Sequence, residues 1–338
     1  MIKVAINGFG RIGRLVFRIM EEDPAFEVVA INDLTDSEQL AYLLKYDTNH
    51  RNYKTDKISF DENNITINNR KIKIFKETDP SNLPWKKLGI DEVFECTGHF
   101  TDLEGAMKHI NAGAKKVIIS APGKGKMKTI VYNVNHKTLD GTEKVISSAS
   151  CTTNCLAPVA KVMDDKFGIV KGYMTTVHAY TNDQTILDVA HPKGIKARRG
   201  RAGAINIIPA STGAAKALGL VLPNLQGKLD GSALRVPTPT GSVVDLTLEL
   251  KKKVTIEEVN DAFKKSVNKT LKFTYDPIVS SDIIGSNCGA TVDGLLTNVI
   301  EVDDKQLVKV VAWYDNEMGY SYQMVRTAKY LMQISSQK

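Results

Sequence analysis

Ile2-Lys3-Val4-Ala5-Ile6-Asn7-Gly8-Phe9-Gly10-Arg11-Ile12-Gly13 is the stretch whose reading decides the fold. The apolar run Ile2–Ile6 reads as a buried strand. Gly8, Gly10 and Gly13 then follow in G-x-G-x-x-G spacing. Ile12, Leu15, Val16 and Ile19 continue at helical spacing over residues 11–22. Strand, glycine turn and helix start, in that order, make up the dinucleotide fingerprint. The first glycine forms the tight turn, the second lets backbone approach a pyrophosphate, and the third lets the helix pack on the strand. Free N–H groups and the dipole at the helix start favour phosphate. A second strand, Val28–Ile31, leads to Asp33, 20 residues past Gly13. Its carboxylate can accept hydrogen bonds from ribose hydroxyls and would repel a 2′-phosphate, so NAD is expected over NADP. The alternative for Asp33 is a turn or helix cap, a role Asp36 and Ser37 could fill instead.

Working outward, Tyr53–Phe60 and Ile65–Phe75 read as a hairpin turning at Asp61–Asn64. Glu92–Glu95, Lys116–Ser120 and Thr129–Asn133 read as strands, with a helix over 102–111. Strands alternating with helices predict an α/β, Rossmann-type domain over 1–150. The texture then changes. A helix is expected from Cys151 to about Lys166, and a strand over Val170–Val177. Residues 182–204 are polar and aperiodic, which marks a functional or interface loop. Leu229–Val236, Val243–Leu250, Leu295–Glu301 and Leu307–Tyr314 read as strands of one antiparallel sheet. Thr255 and Glu258 form a capping box before a helix expected to bury Ile256, Val259, Phe263 and Val267. The second domain is therefore expected to be an α+β catalytic domain over 151–316. A last amphipathic helix, within 317–338, is expected to return to the first domain.

Composition narrows the class. With 42% hydrophobic residues, the 338-residue chain can bury two ordinary cores. No run reaches the ~18–20 apolar residues a bilayer span requires. The strand starting at Ile2 leaves no room for a signal peptide. Basic residues number 45 against 38 acidic, and they are dispersed, which suits phosphorylated ligands and does not require nucleic acid. Four cysteines make no disulfide framework, and no CxxC pair suggests a metal site. A cytoplasmic protein with reduced thiols is expected.

The chemistry concentrates at Ser148-Ala149-Ser150-Cys151-Thr152-Thr153-Asn154-Cys155. Small polar residues precede an amphipathic helix, so Cys151 stands at a helix start. There the dipole is expected to favour the thiolate, the nucleophile that adds to an aldehyde. The same N–H groups can stabilise an oxyanion. Cys155, one turn on, reads as a small buried hydrophobe. Cys96 ends a strand and Cys288 lies in a polar loop. Of six histidines, His178 is the best candidate base, because it ends a strand immediately before a loop. Spacing alone leaves a structural role open for it.

Six motifs together resemble the phosphorylating glyceraldehyde-3-phosphate dehydrogenases. They are Asn7-Gly8-Phe9-Gly10-Arg11-Ile12-Gly13-Arg14, Ala149 to Cys155, His178-Ala179-Tyr180-Thr181, Ser211-Thr212-Gly213-Ala214-Ala215-Lys216, Arg235-Val236-Pro237 and Trp313-Tyr314-Asp315-Asn316-Glu317. The resemblance spans essentially the whole chain. It implies that Cys151 forms a hemithioacetal, that His178 accepts its hydroxyl proton as hydride leaves for NAD, and that inorganic phosphate cleaves the thioester to an acyl phosphate. It implies a substrate-phosphate site at Thr181 and Arg235. The attacking phosphate is implied at Ser150, Thr152, Arg199, Thr212 and Gly213. On the cofactor side it implies Gly8, Gly10, Arg11, Ile12, Gly13, Asp33, Thr78 and Ser120, with Asn316 orienting the carboxamide. The loop over 182–204 implies a homotetramer. Thr78 stands where the family has Arg, a contact expected through the backbone. Val189-Ala190 replaces a Leu-Pro pair that helps exclude NADP.

Erythrose-4-phosphate dehydrogenase shares the cysteine and histidine, but the full set of attacking-phosphate ligands argues against it. Aspartate-semialdehyde dehydrogenase is a more distant relative of similar plan, and the Thr181 and Arg235 phosphate site argues against it. A non-catalytic interaction protein would not need Cys151, His178 and Asn316 together.

Overall fold

A computed structural model describes residues 1–192 and 194–337. Lys193, in the polar loop, and Lys338, in the stretch given to the last helix, lie outside the described residues. The chain divides into two compact units: Met1–Ser150 together with the residues from Ser321 onward, and Cys151–Tyr320. Glu317–Tyr320, placed with the first domain by sequence, group with the second, where Gly319 packs directly on the Cys288 carbonyl.

The first unit runs β1 (Ile2–Asn7), α1 (Arg11–Met20), β2 (Phe26–Asn32), α2 (Ser37–Lys45), β3 (Ile58–Asp61), β4 (Asn64–Ile67), β5 (Arg70–Phe75), α3 (Trp85–Leu88), β6 (Glu92–Glu95), α4 (Leu103–Asn111), β7 (Lys116–Ile119), β8 (Lys128–Thr129) and β9 (Val145–Ser147). Among the described residues these strands form one nine-stranded sheet ordered β3-β4-β5-β2-β1-β6-β7-β9-β8. The chain builds outward from β1 through β2 and then returns to lay β6 on β1's other side. That reversal is a topological switch point, where an open α/β sheet binds ligands at its carboxyl ends. The expected hairpin is a three-stranded meander. Asn68 and Asn69, both at positive φ (47° and 66°), break Ile65–Phe75 in two, because asparagine tolerates the left-handed turn. Asp36, not Asp33, caps α2 by accepting the Gln39 N–H. Ala5, Val93, Val117 and Ile119 pack with Trp85 and Ala106 on one face of the sheet.

The second unit comprises α5 (Cys151–Phe167), β10 (Ile169–Ala179), β11 (Ile208–Ser211), α6 (Ala214–Val221), β12 (Leu229–Val236), β13 (Ser242–Leu250), α7 (Ile256–Lys265), β14 (Leu271–Thr274), β15 (Ala290–Asp293), β16 (Asn298–Val302) and β17 (Lys305–Tyr314). Its sheet is mixed, not purely antiparallel: β10 with β12 and β14 with β15 run parallel. Helix α6 lies in the crossover that joins the parallel pair β10 and β12. The Thr255–Glu258 capping box is present. Val259 and Phe263 are buried, whereas Ile256 and Val267 are exposed and contribute little to the core. Helix α8 (Met318–Ser335) starts on Asp315, which accepts the Glu317 and Met318 N–H groups. Its later residues close the first unit: Lys329 pairs with Asp23, and Ser335 Oγ donates to Gly141 O. No described helix is long and apolar enough to cross a membrane.

Candidate active site

In the first unit, the three glycines separate by what surrounds them. Gly8 sits at φ 89°, and a Cβ there would lie 2.7 Å from Thr97 N. A Cβ on Gly13 would meet Gly8 O at 2.1 Å. At Gly10 a Cβ would meet nothing within 4 Å. Two glycines are thus needed by the fold, and the third leaves open space at a helix start, which fits a phosphate-bearing ligand. A cavity of about 400 Å³ opens there, lined by Gly8, Gly10, Asp33, Thr78, Thr97 and their neighbours. Asp33 Oδ2 accepts the Phe9 N–H at 2.7 Å and Oδ1 the Thr35 N–H at 3.0 Å. These bonds fix the carboxylate on the cavity wall, with lone pairs left for ribose hydroxyls. Arg11, Ile12, Gly13 and Ser120 do not line the cavity. Arg11 forms a bidentate pair with Asp47, at 2.5 and 3.2 Å, at the start of α1. Ser120 donates its N–H to Glu95 O. The residues present fit a dinucleotide.

In the second unit, Cys151 is the first residue of α5, reached through Ala149 in the left-handed region at φ 57°. Its Sγ lies 3.4 Å from His178 Nε2. His178 is the next-to-last residue of β10, so it stands inside the strand instead of just beyond it. Its Nδ1 approaches two groups with opposite demands: Ala179 O at 2.7 Å needs an N–H, and Arg235 Nη1 at 2.7 Å needs a lone pair. Arg235 also donates to Ala179 O at 2.9 Å and to Thr181 Oγ1 at 3.3 Å. With the proton on Nδ1, Ala179 O is satisfied and Arg235 keeps both its oxygen acceptors. Nε2 then turns its lone pair toward Cys151, as a base must. Burial, and then the Arg235 charge, lower the His178 pKa to about 3. The ring is therefore neutral at pH 7.

Burial works against the thiolate expected at Cys151. Desolvation by the surrounding protein pushes the thiol up, although the residue keeps some exposure. Arg235 and the Thr152 hydroxyl and N–H only partly oppose it. A helix start alone does not offset removal from water. The neutral imidazole is therefore needed to take the thiol proton.

The candidate phosphate residues divide into groups. Thr181, Arg199 and Arg235 are brought together with Asp183, which sequence reasoning missed. Asp183 accepts from the Thr181 hydroxyl and pairs with Arg199. Burial works against the Asp183 carboxylate, but these two partners outweigh it and hold its pKa below the usual range. A carboxylate thus occupies the donors meant for an anion. The buried Arg235 Nε has no hydrogen-bond partner among the described residues, a donor suited to an incoming anion. Thr152 is turned elsewhere. Its hydroxyl meets Tyr314 Oη at 2.9 Å, and Tyr314 Oη meets Thr176 Oγ1 at 2.9 Å. Thr212 Oγ1 accepts the Ala214 N–H at 3.2 Å at the start of α6, beside an open Gly213. Ser150 belongs to the first unit. An acid two residues after Thr181, in an arginine-rich loop, was the available signal for Asp183.

Asn316 Oδ1 accepts from Thr240 Oγ1, Gly241 N and Ser242 Oγ at 3.3, 3.2 and 2.9 Å. The Gly241 N–H and the Ser242 hydroxyl, with the Thr240 hydroxyl shared between this oxygen and Asp315 Oδ1 at 3.1 Å, fix the amide's orientation and present Nδ2 as the donor for a carbonyl ligand. Cys155 is fully buried, its Sγ 3.8 Å from Ala312 O, and burial pushes its thiol far up.

Comparison with known proteins agrees with both halves. The model for "Glyceraldehyde 3-phosphate dehydrogenase, NAD binding domain" matches residues 2–103, and that for the C-terminal domain of the same family matches residues 150–316. Glyceraldehyde-3-phosphate dehydrogenases of Clostridium pasteurianum and Clostridium acetobutylicum are 58% and 57% identical to the chain over 335 residues, covering 99% of it and 100% of each relative. That of Streptococcus pyogenes is 55% identical over 336 residues, 99% of both. With a Rossmann unit, a cysteine–histidine pair and full-length relatives at this identity, the chain belongs to the glyceraldehyde-3-phosphate dehydrogenase family.

Proposed function

We propose that the chain oxidises D-glyceraldehyde 3-phosphate to 1,3-bisphosphoglycerate with NAD and inorganic phosphate. The observation that carries this reading is the 3.4 Å approach of Cys151 Sγ to His178 Nε2, with Arg235 linking Ala179 O to Thr181. His178 Nε2 takes the thiol proton as Sγ bonds to the aldehyde carbon, then returns it to the carbonyl oxygen. In the resulting hemithioacetal, Nε2 removes the hydroxyl proton as the C–H hydride departs, leaving a thioester on Cys151. When bound, NAD supplies the hydride-accepting ring. Phosphate then attacks the thioester carbon, the C–S bond breaks, and His178 returns its proton to sulfur. Arg235 and Thr181 hold the substrate phosphate, and release of Thr181 and Arg199 from Asp183 opens donors for anions. Ser150, Thr152, Thr212 and Gly213 are assigned to the attacking phosphate. Arg11, Ile12, Thr78 and Ser120 join the glycines and Asp33 around the dinucleotide, and Asn316 Nδ2 donates to the carboxamide.

A cytoplasmic homotetramer is part of this proposal. Ile186, Leu187, Ile195, Ile205 and Ile207 are 68–95% exposed. Apolar exposure of that extent on one loop suits burial by another copy.

The test is NADH formation from glyceraldehyde 3-phosphate, with and without inorganic phosphate, using parent and Cys151→Ser. Phosphate-dependent turnover that Cys151→Ser loses, while still binding NAD, is expected. Steady turnover without phosphate would replace the proposal with hydrolysis and an erythrose-4-phosphate dehydrogenase.

A further inference from the structure

At the switch point between β1 and β6, both strands end in buried polar residues, Asn7 and Glu95, paired in register. Glu95 accepts four hydrogen bonds. Oε2 takes Asn7 Nδ2 at 2.6 Å and His109 Nε2 at 3.1 Å. Oε1 takes the Thr97 N–H at 2.8 Å and the Thr97 hydroxyl. The His109 tautomer follows from its other side. Trp85 Nε1–H, which can only donate, points at His109 Nδ1 at 3.0 Å. Nδ1 must accept, so the ring proton sits on Nε2 and is donated to Glu95. The 3.4 Å approach of Asn7 Nδ2 to His109 Nε2 is two donors converging on one oxygen.

The chain of bonds continues outward. Asn7 Oδ1 accepts from Asn32 Nδ2 at 2.7 Å. Asn32 in turn clasps the Glu77 peptide, donating to its carbonyl and accepting its N–H, both at 2.8 Å. Each peripheral member adjoins a wall of the cavity: Asn7 precedes Gly8, Asn32 precedes Asp33, and Glu77 precedes Thr78. Thr97 is the residue against which Gly8 has no room for a Cβ.

We infer that Glu95, oriented by His109 and Trp85, is a positioning residue that presets all four walls of the dinucleotide cavity for NAD. This rests on reading that cavity as the NAD site. None of the three side chains needs to touch the cofactor. Their effect is to hold four loops in one arrangement before binding, so that ordering them does not weaken affinity. Fully satisfied buried networks specify one geometry in this way, and half-satisfied ones do not.

The test compares substitutions that keep different halves of the imidazole. His109→Gln keeps an N–H in the place of Nε2, facing Glu95. His109→Asn keeps only an acceptor for Trp85. Glu95→Gln keeps the shape but turns an NH₂ toward two donors. NAD binding is measured by calorimetry on the full chain, alongside melting temperature, KM for NAD and for the aldehyde substrate, and kcat at saturating NAD. Glu95→Gln and His109→Asn are expected to weaken NAD binding by about tenfold, the loss of roughly one buried hydrogen bond. His109→Gln should recover most of it. KM for NAD should follow binding, while KM for the aldehyde and kcat stay within about twofold. If folded Glu95→Gln and His109→Asn bind NAD as the parent does, the positioning role is wrong and the network only stabilises the unit. A loss confined to kcat overturns it equally. If the parent itself binds no NAD, the cofactor reading fails instead. Should Glu95→Gln not fold, the two His109 variants decide the matter.

Discussion

Glu92 and Glu95 lie three residues apart on β6, and both are buried to within 1%. An odd separation sends them to opposite faces of the sheet. On one face Glu95 meets four donors. On the other, neither Glu92 oxygen has a hydrogen-bond partner among the described residues. Lys116 is its register neighbour on β7, but that ammonium donates to Gly141 O and Glu143 O at 2.6 and 2.7 Å. Burial therefore raises the Glu92 pKa to about 8, with Lys116 opposing and Asp91 adding to it. A buried carboxyl is an organiser where the fold aims donors at it and a burden where it does not.

Substitutions can break or sharpen that contrast. The largest effect is expected from Glu95→Leu, which strands four donors. At about 1–3 kcal/mol for each unsatisfied group, a loss of about 4 kcal/mol or more is expected in denaturant melts. A loss under about 1 kcal/mol would place Glu95 alongside Glu92. Glu92→Leu should act in the opposite sense, and with pH. In the folded chain Glu92 stays neutral up to about pH 8, whereas unfolded it ionises from its ordinary 4.5. Its contribution to stability is thus intact below pH 4.5 and is lost as pH rises toward 8. The leucine variant should gain about 1–3 kcal/mol over the parent at pH 8, and the gain should shrink steadily toward pH 4.5. A pH-independent difference would contradict the raised pKa. The smallest effect belongs to Trp85→Phe, which removes one donor and keeps most of the ring. A loss of about 1–2 kcal/mol is expected, measured by thermal melting.

The two sides of β6 also mark how far the sequence could be read. The glycine spacing, Asp33, the capping box at Thr255 and the helix start at Cys151 are local patterns, each decided within a few residues. The Glu95 network is not local. Asn7 and Glu95 are separated by 88 positions and Asn7 and His109 by 102, so only the sheet order brings them together. Glu95 read simply as the end of a strand, and His109 as one histidine among six. The Asn68-Asn69 break was legible as a pair of turn-formers but was absorbed into an apolar alternation. The Cys151 thiol meets a different limit. Helix position is visible in sequence, whereas depth beneath the surface is not, and depth dominated.

The return of α8 to the first unit has a consequence for how the chain is made. Strand β1 leaves the ribosome well before α8, so the unit it belongs to lacks its Lys329–Asp23 pair and its Ser335–Gly141 bond until residues 321–337 emerge. The whole second unit, Cys151–Tyr320, is synthesised in between. At roughly 5–20 residues per second, the nascent nucleotide-binding half waits on the order of ten seconds or more without its closing helix. During that interval the surface α8 will cover is open to solvent, to chaperones and to other nascent chains. The second unit, contiguous in the chain, can close as soon as its own residues are out.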